Sequence, residues 1–244
     1  MEISPATHTL ALRYTITSEI DVKNAGLALE DADVAQITFN GEQVPNTITG
    51  YFTDESIQTI PLPDIKAGEN TLELCFPYGE RTNVEWCYIL GDFGVRVTGC
   101  EKLITKKQQK LGFSDITSQT LAFYSANVDY NFNIELDSDG AIEIETSYYR
   151  GSLIAVALDG QRKGRIVLPP YKLMINDVKK GKHTVTLTLF GNRHNSFGAL
   201  HLVNEGELWF GPNAWRTSGN NWCYEYKTRP LGILKSPVIR IYKK

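Results

Sequence analysis

Residues 34–44 read VAQITFNGEQV, and residues 153–163 read LIAVALDGQRK. In each, a short run of alternating or small apolar residues ends in a dipeptide, Asn40-Gly41 or Asp159-Gly160, after which a polar run begins. Period-two alternation marks a strand with one face toward a core. Asn-Gly and Asp-Gly supply the positive φ angles of a tight hairpin turn. The two stretches read as one hairpin written twice.

Working outward, the neighbours match as well. ALRYTITSEID is echoed by NVDYNFNIELD, which sets Tyr14 against Tyr130. IKAGENTLEL is echoed by VKKGKHTVTL, which sets Gly68 against Gly181 at the bend before a long strand, and FGVRV by PVIRI. The order is the same in both halves and the spacing nearly constant, as expected of a tandem duplication with small loop insertions. Further alternating runs, SIQTIPL and AIEIETSYY, lie between Gly, Asn, Asp and Pro punctuation. No segment holds helical periodicity over three turns, and EKLITKKQQKL reads as a linker. The expectation is an all-β chain of two β-sandwiches in series: residues 1–100, a linker at 101–112, and residues 113–244 with a long loop at 191–221.

The 244 residues leave room for two separate cores. A formal net charge of -3 gives no basic footprint for phosphate, so nucleic acid is not expected as a partner. The run KKQQK reads as a solvated linker. No apolar stretch of membrane-spanning length and no signal-peptide pattern is present, so no membrane partner is expected. The chain is expected to be soluble, and cytoplasmic if it is complete. Alternation that begins at once in THTLALRYTIT equally fits a domain cut from a longer protein.

Cys75, Cys87, Cys100 and Cys223 are scattered, without a C-x-x-C pair, and read as small packing residues of strands. Trp86-Cys87-Tyr88 returns as Trp222-Cys223-Tyr224. In a strand the cysteine of each tripeptide would face away from its two aromatic neighbours, which makes it a packing residue rather than a nucleophile.

Chemistry-bearing patterns are sparse. GDFG at residues 91–94 lacks every other kinase element, and GKHT is not a phosphate loop. Glu143 and Glu145 alternate with Ile142 and Ile144 and read as the solvated face of one strand rather than a glycosidase acid pair. Asp54-Glu55 and Glu85 read as turn chemistry. His194 and His201 show no third metal ligand. No cofactor is expected, although DSDG at residues 137–140 would fit a structural calcium as well as a hairpin turn.

Added function is expected where the second half is longer than the first, in the loop before its Trp-Cys-Tyr. Trp209, Trp215 and Trp222, with Arg193, His194, Asn195 and Tyr149, form the candidate carbohydrate-binding set: aromatic rings to stack on a pyranose and polar groups to meet its hydroxyls. The competing reading makes the same rings cover the open end of a sandwich core.

In order along the chain, WCYILGDFGV, DITSQTLAFYSANVDYNF, VALDGQRKGRIVLPPYKLMINDVKKGKHTVTLTLFGNRHNSFGALH and YKTRPLGILKSPVIRI resemble the C-terminal galactose-binding-like modules of large bacterial glycoside hydrolases. The likeness is to the α-L-rhamnosidase-like and family 2-like jelly rolls. It rests on strands ending in N-G or D-G, on Pro170-Tyr171, on the Lys-x-Gly turn, and on Asn195, Gly198 and His201. The resemblance implies two galactose-binding-like jelly rolls and no catalytic residues in this chain. It also implies a role as accessory module of a larger glycoside hydrolase, binding carbohydrate or supporting an adjacent catalytic domain. The alternatives are a ligand-free structural module and a free-standing glycoside hydrolase.

Overall fold

The computed structural model describes residues 6–80, 82, 84–203 and 219–243. The chain is almost entirely β and divides into two compact units, Met1–Val95 with Lys102–Lys107, and Arg96–Glu101 with Gln108–Lys244.

The first ten strands are β1 (His8–Ser18), β2 (Gly26–Leu29), β3 (Gln36–Phe39), β4 (Glu42–Val44), β5 (Gly50–Phe52), β6 (Asp54–Pro61), β7 (Gly68–Tyr78), β8 (Tyr88–Leu90), β9 (Gly94–Thr98) and β10 (Glu101–Thr105). They form a six-stranded sheet of order β4-β3-β7-β1-β10-β9 and a four-stranded sheet of order β5-β6-β2-β8. Along β1, Leu12, Tyr14 and Ile16 turn inward, while Ala11, Arg13, Thr15 and Thr17 face out. The core of the first unit joins Ile37, Phe39, Leu72 and Leu74 of one sheet to Leu27, Leu29 and Ile60 of the other.

The second unit contains β11 (Val128–Leu136), β12 (Gly140–Glu145), β13 (Tyr149–Arg150), β14 (Leu153–Leu158), β15 (Gln161–Ile166), β16 (Lys172–Val178), β17 (Gly181–Phe190), the one-turn helix α1 (His194–Phe197), β18 (Gly232–Ile233) and β19 (Val238–Lys243). Its sheets run β11-β17-β14-β15 and β16-β12-β19, with β13 and β18 paired separately. Val156, Val185, Leu187 and Leu189 of the first sheet pack with Ile142, Ile144 and Ile175 of the second. The pairing order of each unit is that of a β-sandwich. The series β1-β7-β3-β4 in the first unit has the same order as β11-β17-β14-β15 in the second.

Both hairpin dipeptides have the backbone expected of them. Asn40 and Gly41 lie at φ 49° and 85°, and Asp159 and Gly160 at 51° and 76°. Gly68 and Gly181, at 106° and 134°, start β7 and β17.

Several expectations are corrected. Residues 101–105, read as linker, form β10, which pairs in parallel with β1 and buries Ile104. The strand carries no period-two signal, since its two apolar residues, Leu103 and Ile104, are adjacent. Tyr14 lies opposite Leu72, four residues after Gly68, but Tyr130 lies opposite Leu187, six after Gly181. The two tyrosines are therefore not at equivalent registers, although a shift of two residues keeps both rings on the inner face. FGVRV and PVIRI also part company, since β9 is the edge strand beside β10, whereas β19 pairs with β12.

Trp-Cys-Tyr is not a continuous strand in either place, and only Tyr88, the first residue of β8, belongs to one. Trp86 and Cys87 precede β8, with Trp86 56 % exposed. Cys87 packs against the first core and contacts the Tyr14 hydroxyl. Burial raises its thiol to about 11 and the Tyr14 hydroxyl to about 12, so both stay protonated and the thiol is unreactive at neutral pH. Cys223 also lies outside any strand, and Cys100 is exposed in the turn between β9 and β10. All four cysteines are unbridged.

Two glycines of the second unit separate two kinds of constraint. A Cβ on Gly140 would lie 2.1 Å from the Tyr242 carbonyl oxygen across β12 and β19, whereas one on Gly160 would meet nothing within 4 Å. Gly140→Ala is expected to lower the unfolding free energy by about 1–3 kcal/mol through forced strand displacement. Gly160→Ala should cost about 1–2 kcal/mol through its left-handed backbone alone. Urea denaturation of the two variants would check both values.

Candidate functional site

The strand registers sort the connections of the second unit onto two ends. At one end, Leu136 faces Gly181, Leu158 faces Gln161 and Gly140 faces Val178, so the short turns at 137–139, 159–160 and 179–180 gather there. At the other end lie the segments 146–152, 167–171, 191–203 and 219–237, since Val128 faces Leu189, Ile154 faces Ile166 and Glu145 faces Lys172. Long connections on a rigid sandwich are the usual carriers of binding. The loop end is the candidate site.

Two arms of chain are tied together there. Leu202 bridges Trp222, Val203 N–H donates to Asn221 O at 3.1 Å, Cys223 N–H to His201 O at 2.9 Å, and Lys227 N–H to Leu200 O at 2.7 Å. A chain of rings runs over this clasp. His201 and Trp222 have centroids 5.6 Å apart, His201 and Tyr226 4.6 Å, and Tyr226 and Phe123 5.4 Å. Tyr224 meets the Trp222 ring edge-on at 4.4 Å and is 77 % exposed. His201 Nδ1 lies 3.0 Å from Cys223 O. A carbonyl can only accept, so this nitrogen carries the proton, and in the neutral ring Nε2 is the acceptor.

The helix α1 braces the clasp. Asn195 is buried, its Nδ2 donating to Arg229 O and its Oδ1 accepting from Arg229 N–H, both at 2.8 Å. His194, Ala199, Leu202, Lys227 and Arg229 line a recess of about 10 Å³, room for roughly one water. Burial, with the Arg229 charge nearby, pushes His194 below the ordinary histidine value, so it is neutral at pH 7.

The structure thus divides the residues expected from sequence. Trp222 is half-buried in the ring chain, His194 lines the recess, and Arg193 is exposed just before α1. The Asn195 side chain is spent on the backbone of Arg229. Tyr149 belongs to β13, where its ring packs on the second core and stands perpendicular to Tyr171 at 6.0 Å. Its neighbour Tyr148 is exposed, with the Arg150 guanidinium 5.5 Å from the ring centre. Trp209 and Trp215 lie outside the described residues. Sequence reading passed over Tyr224 and Tyr226, although the alternation in WCYEYK was the signal for them.

The carboxylates have other employment. Glu143 and Glu145 share the outer face of β12 but are only 15 % and 23 % exposed at the side chain. Arg240 Nη1 reaches Glu143 at 2.7 Å and Glu145 at 2.6 Å, and Lys172 lies within 3.5 Å of both. The hydrogen bond from Arg240 holds Glu145 below the usual carboxylate range, the opposite of what a general acid needs. Asp54 accepts from Ser56 N–H and its hydroxyl, a turn contact. In DSDG, Asp139 accepts from Lys180 N–H and pairs with Lys179 Nζ. Among the described residues no three His, Cys, Asp or Glu side chains converge as a metal site, and no helix is long and apolar enough to cross a membrane.

Two outcomes are expected. Asn195→Ala removes both part-buried hydrogen bonds between the Asn195 amide and the Arg229 backbone and should cost about 1–3 kcal/mol in thermal unfolding. For Glu145, a folded pKa below the unfolded one means that its stabilisation is present above the unfolded value and is lost as pH falls through the folded one. Arg240→Gln should therefore flatten the acid limb of the stability–pH curve, which chemical denaturation between pH 6 and pH 3 would reveal.

No protein-family model matches the chain, nor does any curated protein. Solved structures similar to it include a rhamnosidase from Novosphingobium sp. PP1Y, at 15 % identity and a TM-score of 0.36, covering 94 % of this chain and 22 % of that one. A second is the Streptomyces avermitilis α-L-rhamnosidase complexed with L-rhamnose, at 17 % identity and 0.32, covering 77 % of this chain and 22 % of that one. A third is a glycosyl hydrolase family 2 member from Bacteroides cellulosilyticus DSM 14838, at 15 % identity and 0.22, covering 76 % and 24 % respectively. The chain spans about a fifth to a quarter of the length of these proteins.

Proposed function

We propose that the chain is a non-catalytic accessory module of a larger glycoside hydrolase and that it contacts carbohydrate at the loop end of its second unit. The reading is carried by the ring chain His201–Trp222–Tyr224–Tyr226, mounted on two tied arms with Tyr224 projecting into solvent. A pyranose offers an apolar C–H face to such a ring, while its hydroxyls need donors and acceptors held at fixed positions nearby. His194 and Arg193 lie on the same segment as His201. The enzyme class rests on the motif resemblance in the sequence.

A specific observation favours the second reading, docking on a neighbouring domain. Tyr148, Val167 and Leu168 are exposed at the same end, Leu168 at 75 %. One experiment separates the two. Calorimetric titration of the intact chain with a panel of mono- and oligosaccharides, rhamnosides among them, is expected to give saturable binding. Tyr224→Ala should weaken that binding by about 1 kcal/mol, the scale of one aromatic contact, and Tyr148→Ala should leave it unchanged. Silence across the panel would sink the carbohydrate reading and leave docking.

A further inference from the structure

The tight-turn end of the second unit holds a histidine whose neighbours fix its charge. His183, on β17, has Nδ1 2.7 Å from Asp159 Oδ2 and Nε2 2.8 Å from the Lys179 carbonyl oxygen. An ionised carboxylate and a carbonyl can only accept. A neutral imidazole carries one N–H, so whichever tautomer it adopts, one ring lone pair points at an oxygen. Only the imidazolium satisfies both contacts.

Those contacts reach two different turns. Asp159 is the first residue of the β14–β15 turn and is itself held to β17, its Oδ1 accepting from Thr184 N–H at 2.8 Å and its own N–H donating to Thr184 O at 2.9 Å. Lys179 opens the β16–β17 turn, whose Lys180 N–H and Lys179 Nζ bind Asp139 of the β11–β12 turn. His183 therefore sits at the junction of a network that links all three.

We propose that His183 is a proton-operated clasp on this end of the unit, closed when both ring nitrogens carry protons and loosened when one is lost. The charged groups around it are Asp159, which faces it directly, Lys163 beside Asp159, and Lys179 with its partner Asp139. Lys182 precedes His183 on β17 and lies opposite Glu135 of β11. The ring is only 12 % exposed while the Asp159 side chain is half exposed, so solvent screens the pair in part and the two fixed acceptors, more than the charge alone, set the ring's protonation. The Asp159 hydrogen bond first, and the Lys179 carbonyl second, hold His183 above the ordinary histidine value, and burial opposes them. With the folded pKa raised, the stabilisation is complete below the unfolded value of about 6.5 and is lost as pH rises through the folded one. The device would tighten the sandwich on mild acidification.

Nitrogen-15 spectra of the imidazole in the intact chain, from pH 5 to 9, test this together with amide exchange corrected for intrinsic rates. Both ring nitrogens should be protonated at pH 5.5, and the ring should titrate above 6.5. Protection of the Asp159, Lys180 and Thr184 amides should fall by roughly tenfold across that titration, the scale of one charge-assisted hydrogen bond. His183→Gln should abolish this pH dependence. Asp159→Asn, which keeps an acceptor for Thr184 N–H, should move the His183 titration down. A single protonated nitrogen at pH 5.5, a midpoint at or below 6.5, protection that is flat through the titration, or a midpoint unmoved in Asp159→Asn would overturn the proposal.

Discussion

The register of β17 governs the second unit. Gly181, in a backbone conformation that side-chain-bearing residues rarely adopt, brings the chain back opposite Leu136, and from there β17 pairs with β11 on one side and β14 on the other. Val185, Leu187 and Leu189 then all fall on the core face and are fully buried. A slip of one residue would turn these three outward and Thr184, Thr186 and Thr188 inward. The three threonines instead donate across to Asn133, Asn131 and Asp129, so hydrogen bonds on the outer face fix the same register as the core. In the first unit Gly68 and β7 play the corresponding part, with Gly68 opposite Ser18.

Once that register is set, the two ends of the second unit have different physical characters. Three short turns at one end leave little chain to vary, and their polar groups are consumed by one another, through Asp139, Asp159 and His183. The opposite end receives the longer connections among the described residues. There the rings pack on one another with Tyr224 mostly in solvent, and Asn195 spends both ends of its amide on the Arg229 backbone to hold the arms in place. Rigidity at one end and presentation at the other follow from a single arrangement of strands.

Much of the fold was legible because its signals are local. Asn40-Gly41 and Asp159-Gly160 turn where they do from the φ angles that these residues tolerate, and β1, β11 and β17 declare their inner faces by alternation. The strand β10 was hidden because its pairing with β1 is parallel and brought about by distant chain. The alignment of Tyr14 with Tyr130 failed for a related reason, since residue identity can match while cross-strand register differs by two. The carboxylates Glu143 and Glu145 were placed correctly on one face, yet their coverage by Arg240 and Lys172 depends on two other strands.

The candidate site was legible as a region and not as a constellation. The longer second half marked the loop before Trp222, but Tyr149 was included only as an aromatic ring and belongs to β13, packed on the second core, while Tyr224 and Tyr226 were passed over. By itself the sequence determined the all-β class, the hairpin turns and the end of the chain where loops accumulate, because each of these depends on dihedral preference or on alternation over a few residues. Only the tertiary structure decided which rings meet, that Asn195 braces rather than binds, and that His183 faces two acceptors. Those outcomes depend on distances between residues far apart in the chain, which are set by strand pairing and not by any local pattern.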